Sequence, residues 1–287
     1  MGTVLTLASL LLFNPAIDSI ESLVELTSIG SFNAASRIVI DFRGRIFVAD
    51  HGTHLVYCFP SFKESPLTVG GYGWTDGAFD TPTDVATDGV NIYVTDYGNH
   101  RVQKFDQKLR FVGSWSGKTA THENERFGYP KGIALSEIGE VFLLDGENNR
   151  VIKYSTIGKF ERAFGNITTN EGRLTQPKRL LLRGKEIFVL ENSRVVVYDV
   201  FGAYLRTIGE NQFCDARGVC CIDPNLFVAT QDTLYSFSKE GKLCTKTPRT
   251  VILASSPIEE ITDIASYNRT LYLLTPNSIR IFEIQNK

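Results

Sequence analysis

The sequence lacks any hydrophobic stretch long enough to span a membrane as a helix, and it has no excess of charge of either sign. The longest apolar stretch covers residues 4–13, about half the length that a bilayer-spanning helix needs. The 287 residues include 30 Lys and Arg against 32 Asp and Glu, a formal net charge of -2. This balance gives no attraction of the whole molecule for nucleic acid or anionic membranes, so a polyanion site would have to be a local patch.

Cysteine is scarce, and its spacing excludes two kinds of site. The five cysteines are an odd number and contain no Cys-x-x-Cys pair, which argues against a thiolate zinc site and a dithiol redox motif. Four of them lie between residues 214 and 244. We predict buried free thiols on strands. The alternative, in an oxidising compartment, is one disulfide such as Cys214 to Cys220 or Cys221 to Cys244.

Motifs of common enzyme classes are also absent. The sequence has no Gly-x-Ser-x-Gly nucleophile motif and no phosphate-binding loop. The glycine-rich residues 70–73 lie between two strand patterns, without the strand before and the helix after that a phosphate cradle requires. We predict no catalytic residues, no metal site and no cofactor.

The N-terminal residues 1–18 form an apolar segment with two interpretations. Its length suits the core of an export signal, but no Lys or Arg precedes it, so it is a degenerate signal or a short anchor. The alternative is a segment packed on the fold. The signal interpretation favours an extracytoplasmic or periplasmic protein, and the other one a cytoplasmic protein. We expect residues 19–287 to be a single domain.

A repeated hairpin organises most of the chain. An apolar strand ends in an acid, a polar turn follows, and a second strand closes on or beside an aromatic residue. The four clear copies are Ile46–Phe59, Ile92–Phe105, Val141–Tyr154 and Ile187–Asp199. Their acids Asp50, Asp96, Asp145 and Glu191 are 46, 49 and 46 residues apart. Two weaker copies, residues 226–237 and 271–282, have Thr in place of the acid, so there are six units.

Each unit also has a short strand before the hairpin, and the better ones have another strand after it. Four short strands in a unit of about 45 residues are typical of a propeller blade. Amphipathic helices are missing, which excludes folds that alternate strands and helices. The last unit lacks a fourth strand, and residues 22–30 read as one. We therefore predict an all-β, six-bladed propeller of four-stranded antiparallel blades, closed by this N-terminal strand.

The second and third units carry a recognisable set of residues. In the second these are Phe79, Pro82, Asp96, Gly98, Asn99, His100, Arg101, Val102 and Phe105. In the third they are Phe127, Pro130, Gly132, Ile133, Ala134, Asp145, Asn149, Arg150, Val151 and Tyr154. The chain from about residue 31 resembles the NHL repeat family of β-propellers through these residues, and we assign it to the non-enzymatic branch. Units five and six depart from the pattern.

The repeated acids suggest a structural role in every blade. A carboxylate at a strand end, followed by a turn and an Arg, suits hydrogen bonds that fix the turn. We assign this role to Asp50, Asp96, Arg101, Asp145, Arg150, Glu191 and Arg194. Metal binding by these acids with nearby histidines is the alternative.

A binding site is better sought where the blades differ, at the central channel. The position at the start of the innermost strands reads Arg37, Asp84, Gly132, Arg179, Gly218 and Asp263 around the ring. Arg37 would be flanked by Asp84 and Asp263, so these charges either neutralise each other or form an anion pocket. With the residues one position earlier, blades 3 to 5 carry a basic arc of Lys131, Lys178, Arg179 and Arg217. The candidate binding residues are Arg37, Asp84, Lys131, Lys178, Arg179, Arg217 and Asp263.

These observations predict a non-catalytic binding scaffold for a protein, peptide or saccharide, with no oligomeric state indicated. The resemblance implies two alternatives. Related six-bladed propellers include metal-dependent lactonases and a peptide-amidating lyase, which need several acids, Asn or His at the axis. Some animal NHL propellers bind single-stranded RNA. The sequence pI near 6.1 and the lack of an evident row of stacking aromatics argue against RNA here.

Overall fold

The computed structural model describes residues 22–120, 122–167 and 171–285, so the apolar segment 1–18 lies outside the described residues. Within these ranges the chain forms six antiparallel sheets of four strands each. The sheets are the blades of a propeller, numbered here in chain order. This confirms the all-β, six-bladed architecture, and no described helix is long and apolar enough to cross a membrane.

The strands follow the predicted repeats. Blade 1 contains β2 (Ala35–Ile40), β3 (Ile46–Asp50), β4 (Leu55–Phe59) and β5 (Leu67–Gly70). Blade 2 contains β6 (Pro82–Thr87), β7 (Asn91–Asp96), β8 (Arg101–Asp106) and β9 (Phe111–Ser116). Blade 3 contains β10 (Pro130–Leu135), β11 (Val141–Asp145), β12 (Arg150–Tyr154) and β13 (Phe160–Phe164).

The second half repeats this order. Blade 4 contains β14 (Arg179–Arg183), β15 (Glu186–Leu190), β16 (Val195–Asp199) and β17 (Tyr204–Ile208). Blade 5 contains β18 (Gly218–Ile222), β19 (Asn225–Ala229), β20 (Thr233–Phe237) and β21 (Leu243–Pro248). Blade 6 contains β22 (Asp263–Tyr267), β23 (Thr270–Leu274), β24 (Ile279–Gln285) and the N-terminal β1 (Ser22–Ile29). Three single-turn 3-10 helices lie at Gly117–Thr119, Glu123–Glu125 and Arg249–Val251.

The ring closes through strands from opposite ends of the chain. Strand β1 is the outer strand of blade 6 and pairs antiparallel with β24, from Leu23 opposite Ile284 to Ile29 opposite Ile279. The Arg280 guanidinium also donates to both carboxylate oxygens of Glu25, and its Nη2 lies 2.9 Å from Oε2. The closure predicted from the sequence is therefore confirmed, and it covers an edge that would otherwise be open to another strand.

The hydrophobic core lies between neighbouring blades. Phe47 of blade 1, Phe79 before blade 2, and Val94 and Phe105 within blade 2 share one fully buried cluster. Strands such as β11 are buried on both faces because a blade packs on each side of them. This explains why the middle strands are short continuous apolar runs rather than alternating patterns.

The first strand of each blade lines the central channel, and neighbouring first strands contact each other around the ring. We call the side that carries the turns between the second and third strands the turn face, and the other side the opposite face. All five cysteines are free thiols. Cys58 and Cys220 are buried, and Cys221 is partly exposed. Cys214 and Cys244 are exposed, so the prediction of buried thiols is wrong for these two residues.

Candidate functional site

The repeated acids hold the turn face together. The Asp50 carboxylate accepts hydrogen bonds from the backbone N–H groups of Asn33 and Ala34, both at 2.9 Å, and from its own turn. Glu191 does the same in blade 4 with the N–H groups of Thr175 and Gln176. Each acid therefore ties its turn to the loop that precedes its own blade.

The arginine that follows the acid extends this tie. The Nε atom of Arg101 lies 2.7 Å from Asp96, and its Nη2 donates to the carbonyl of Ala78 in the loop before blade 2. Arg150 contacts Asp145 at 2.9 Å in the same way. The third pair, Arg194 and Glu191, has an Nε to Oε2 distance of 2.7 Å. These residues lie on the turn face in the same arrangement in successive blades.

Two histidines of the turns link neighbouring blades. The Nδ1 atom of His54 accepts from the backbone N–H of Thr81 at 3.0 Å, and that of His100 accepts from Tyr129 at 3.3 Å. Within the described part of the chain, no group of three His, Cys, Asp or Glu side chains has a metal-binding arrangement. The contacts of these histidines are those of positioning groups.

A charged layer crosses the channel. The Arg37 guanidinium lies between two carboxylates, with Nε 2.6 Å from Asp84 and Nη1 3.1 Å from Asp263. All three side chains are buried. Burial alone would lower the pKa of Arg37, but the two neighbouring carboxylates raise it above its usual value. Arg37 is thus held charged by side chains of the protein.

The remaining ring positions complete this layer. Arg179 reaches across from blade 4 and donates to the Ser36 carbonyl of blade 1 at 2.7 Å. Gly218 leaves the space that Asp263 uses, since a Cβ there would lie 2.5 Å from Oδ1 of Asp263. Two guanidinium groups and two carboxylates share the axis, so the charges of this layer balance. The layer separates a cavity on the turn face from one on the opposite face.

The turn-face cavity has a volume of about 700 Å³ and is lined by residues from all six blades. It brings together all four residues of the predicted basic arc. Its lining includes Tyr97, Lys131, Lys178, Arg179, Arg217 and Glu260. Arg37 instead lines the opposite cavity, which has a volume of about 570 Å³. Asp84 and Asp263 belong to the charged layer between the two cavities.

The members of the arc differ in how their charge is compensated. Lys178 lies 3.4 Å from Asp215, and Arg217 contacts both Asp215 and Glu260. Lys131 has neither a carboxylate nor a hydrogen-bond acceptor among the described residues. Burial, with a smaller effect from Lys178, lowers the pKa of Lys131. Arg179 forms no ion pair with the described residues either, but it donates to the carbonyls of Lys178 and Ser36. Lys131 is therefore the cation of the arc without any polar partner among the described residues.

The structure also brings together aromatic residues that the sequence analysis missed. The rings of Tyr97 and Tyr129 are 5.0 Å apart, and His100 lies 4.1 Å from Tyr129. Tyr97 lines the cavity, and Tyr129 is 40% exposed beside it. A signal was present, because Tyr97 directly follows a repeated acid. The equivalent residue of blade 1, His51, also lines the cavity.

A comparison with protein families agrees with this geometry. The family model described as "NHL repeat" matches residues 79–105, which span blade 2 from its preceding loop to its third strand. The chain is a six-bladed β-propeller whose second blade matches the NHL repeat. The matched residues include the turn carboxylate Asp96 and its partner Arg101.

One curated relative of this propeller is the "Protein brain tumor" of Drosophila melanogaster. The two sequences are 30% identical over 146 residues, which is 49% of this chain. The match spans only 13% of the length of the fly protein.

Similar solved structures include two lyases. A streptogramin B lyase has a TM-score of 0.59 at 12% identity, covering 86% of this chain and 78% of that one. A catalytically inactive virginiamycin B lyase from Staphylococcus aureus with quinupristin has a TM-score of 0.59 at 14% identity, covering 93% and 89%. At this identity the likeness concerns the fold alone.

Proposed function

We propose that this propeller is a non-catalytic binding scaffold that presents its turn face to a protein or peptide partner. The observation that carries the proposal is the charged layer, in which Arg37 is bound by Asp84 and Asp263. Residues at the axis that could act on a substrate instead contact each other. The cavity above this layer is open, lined by both apolar and charged side chains, and bordered by aromatic rings, as recognition sites are.

The turn face also has the rigidity that a binding surface needs. Each turn of blades 1 to 4 is tied by a carboxylate to the preceding loop, and His54 and His100 join neighbouring blades. Loops held in this way lose little conformational entropy when a partner binds, and this favours affinity.

A photocrosslinking experiment tests this function. Benzoylphenylalanine is placed at Tyr129 on the turn face or, as the matched control, at Phe42, which is 66% exposed on the opposite face. We expect a discrete adduct with a protein of the source cells from position 129 and none from position 42. Equal labelling from both positions, or no adduct from position 129, would contradict the proposal.

The enzymatic alternative predicts a different result. A hydrolase or lyase would convert a substrate when the purified chain is present alone. We expect no conversion of quinupristin, and no hydrolysis of lactones or phosphotriesters with calcium or zinc added. Turnover that is lost in the Arg37→Gln variant would replace the scaffold with an enzyme whose site lies at the axis.

A further inference from the structure

The turn-face cavity holds one cation, Lys131, that forms neither an ion pair nor a hydrogen bond with the described residues. Arg179 also lacks an ion pair, but it donates to two backbone carbonyls. The stem of Lys131 lies against Gly146, where an added Cβ would be 2.9 Å from Cε of the lysine. The Pro130 carbonyl next to it accepts a 2.7 Å hydrogen bond from Thr83, which fixes the backbone at this point. Lys131 is thus held at the cavity without an anion to match it.

The surrounding charges limit what kind of anion fits. Asp215 and Glu260 also line the cavity, and they compensate Lys178 and Arg217. A chain of phosphates would be repelled by these carboxylates, whereas a single negative charge needs only the one free ammonium group. The cavity therefore suits a monoanion better than a polyanion.

The shape of the site adds a second restriction. The charged layer closes the floor of the cavity, because Arg179 spans the axis to the Ser36 carbonyl. A continuous chain cannot pass through a closed floor, but the end of a chain can enter. The ring of Tyr97 forms part of the cavity wall, and the ring of Tyr129 lies next to it.

We infer that this cavity binds the C-terminal carboxylate of a peptide or protein partner, with Lys131 as its cation and the Tyr97 and Tyr129 rings against its last side chain. This inference rests on the proposed function, since it names the part of the partner that the turn face recognises. An ammonium to carboxylate hydrogen bond supplies affinity, and the rings favour an apolar or aromatic last residue.

Two matched peptide libraries test this inference. Both consist of N-acetylated tripeptides that are randomised at the last two positions, one with a free carboxylate and the other with a C-terminal amide. Affinity selection on the full chain identifies binders, and calorimetry gives their Kd values. We expect selected acids to bind at least about tenfold more tightly than their own amides, which is the effect of one charge-assisted hydrogen bond.

Variants assign the effect to the residue. Lys131→Gln should abolish the preference for the acid, and Lys131→Arg should restore most of it. Lys118→Gln, an exposed lysine on the same face outside the cavity lining, should leave the preference unchanged. Tyr129→Leu should change which last residues are selected while the acid remains preferred.

Three outcomes would overturn the inference. The first is that acids and amides bind equally, or that neither binds. The second is an acid preference that survives Lys131→Gln. The third is binding of a mixed-sequence single-stranded RNA 12-mer that depends on Lys131, without any acid preference. In each case an adduct from position 129 would still support the scaffold, so the two proposals fail separately.

Discussion

In blade 3 the Asp145 carboxylate accepts from Gly128 N–H in the preceding loop, and from Glu147, Asn148 and Arg150 in its own hairpin. In blade 5 the Thr230 hydroxyl occupies the same position, but its contacts stay within residues 230–233. Blades 1 to 4 follow the first arrangement, and blades 5 and 6 the second. The difference shows that the turn can form without an acid, and that the Thr hydroxyl does not reach the preceding loop as the carboxylate does.

The two Thr blades hold their neighbouring loops by other means. The turn of blade 6 accepts backbone hydrogen bonds from Phe32 and Ala35, in the loop before blade 1 and at its first strand. The turn of blade 5 similarly accepts from Ile261 before blade 6. Blade 6 gains further support from β1 and the Glu25 to Arg280 pair. The acid ties therefore occur in blades 1 to 4, which include the two blades that carry Tyr97, Tyr129 and Lys131.

The largest effect should come from removing an acid tie. Asp145→Ala leaves the buried Arg150 guanidinium and the Gly128 N–H without their acceptor, so we expect the free energy of unfolding to fall by about 3–5 kcal/mol. Urea denaturation measures this change, and the Thr230→Val variant of blade 5 is the matched control. A loss no greater than that of the control would show that the two kinds of turn are equivalent.

The closure of blade 6 should depend on pH. The hydrogen bond from Arg280 lowers the pKa of Glu25 from 4.5 to about 2. Because the folded state favours the ionised form, this contribution is complete above pH 4.5 and is lost as the pH falls towards about 2. Glu25→Gln should cost about 2 kcal/mol at pH 7.

The urea midpoints of Glu25→Gln and the unmodified chain should converge as the pH falls from 4.5 to 2. A constant difference across that range would contradict the assignment. Lys131→Gln, which removes a charge from the turn face without breaking a pair, should show no such convergence.

A smaller effect is expected from the Thr turns. Thr230→Val removes hydrogen bonds within a single turn, including the one from Thr233 N–H at 3.1 Å. We expect a loss of about 1 kcal/mol in the free energy of unfolding. Hydrogen exchange should show that the amides of residues 231–233 open more easily while those of the preceding loop do not. Faster exchange in residues 214–217 would mean that Thr230 also ties the loop.

The smallest effect is expected at the histidine links. His54 has a φ of 55°, and Asn149 occupies the equivalent position of blade 3 with a φ of 48°. Asn tolerates this left-handed conformation, so His54→Asn should lose only the acceptor for Thr81 N–H, about 0.5 kcal/mol. His54→Val should cost more because a β-branched residue is strained there. Equal melting temperatures for the two variants would show that the left-handed backbone at position 54 does not disfavour Val.

Much of the fold could be predicted because its information is local and periodic. The acid, the turn and the two strands of each hairpin lie within about 15 residues, and six copies reinforce the same interpretation. The displaced fourth strand could be found by counting, since the last unit lacked one. The ion pairs of Asp96 and Asp145 could be predicted for the same reason, because their arginine partners are only five residues away.

The candidate site depended on distances between blades, which the sequence by itself does not contain. The partners of Arg37 are 47 and 226 residues away, and only the alignment of the repeats around a closed ring placed Asp84 and Asp263 on either side of it. Only the tertiary structure decided that Lys131 is the arc member with neither a counterion nor a hydrogen-bond acceptor, and that Tyr97 meets Tyr129. The reason is physical, because the sequence period fixes each blade, while the curvature of the ring sets which side chains of neighbouring blades can reach each other.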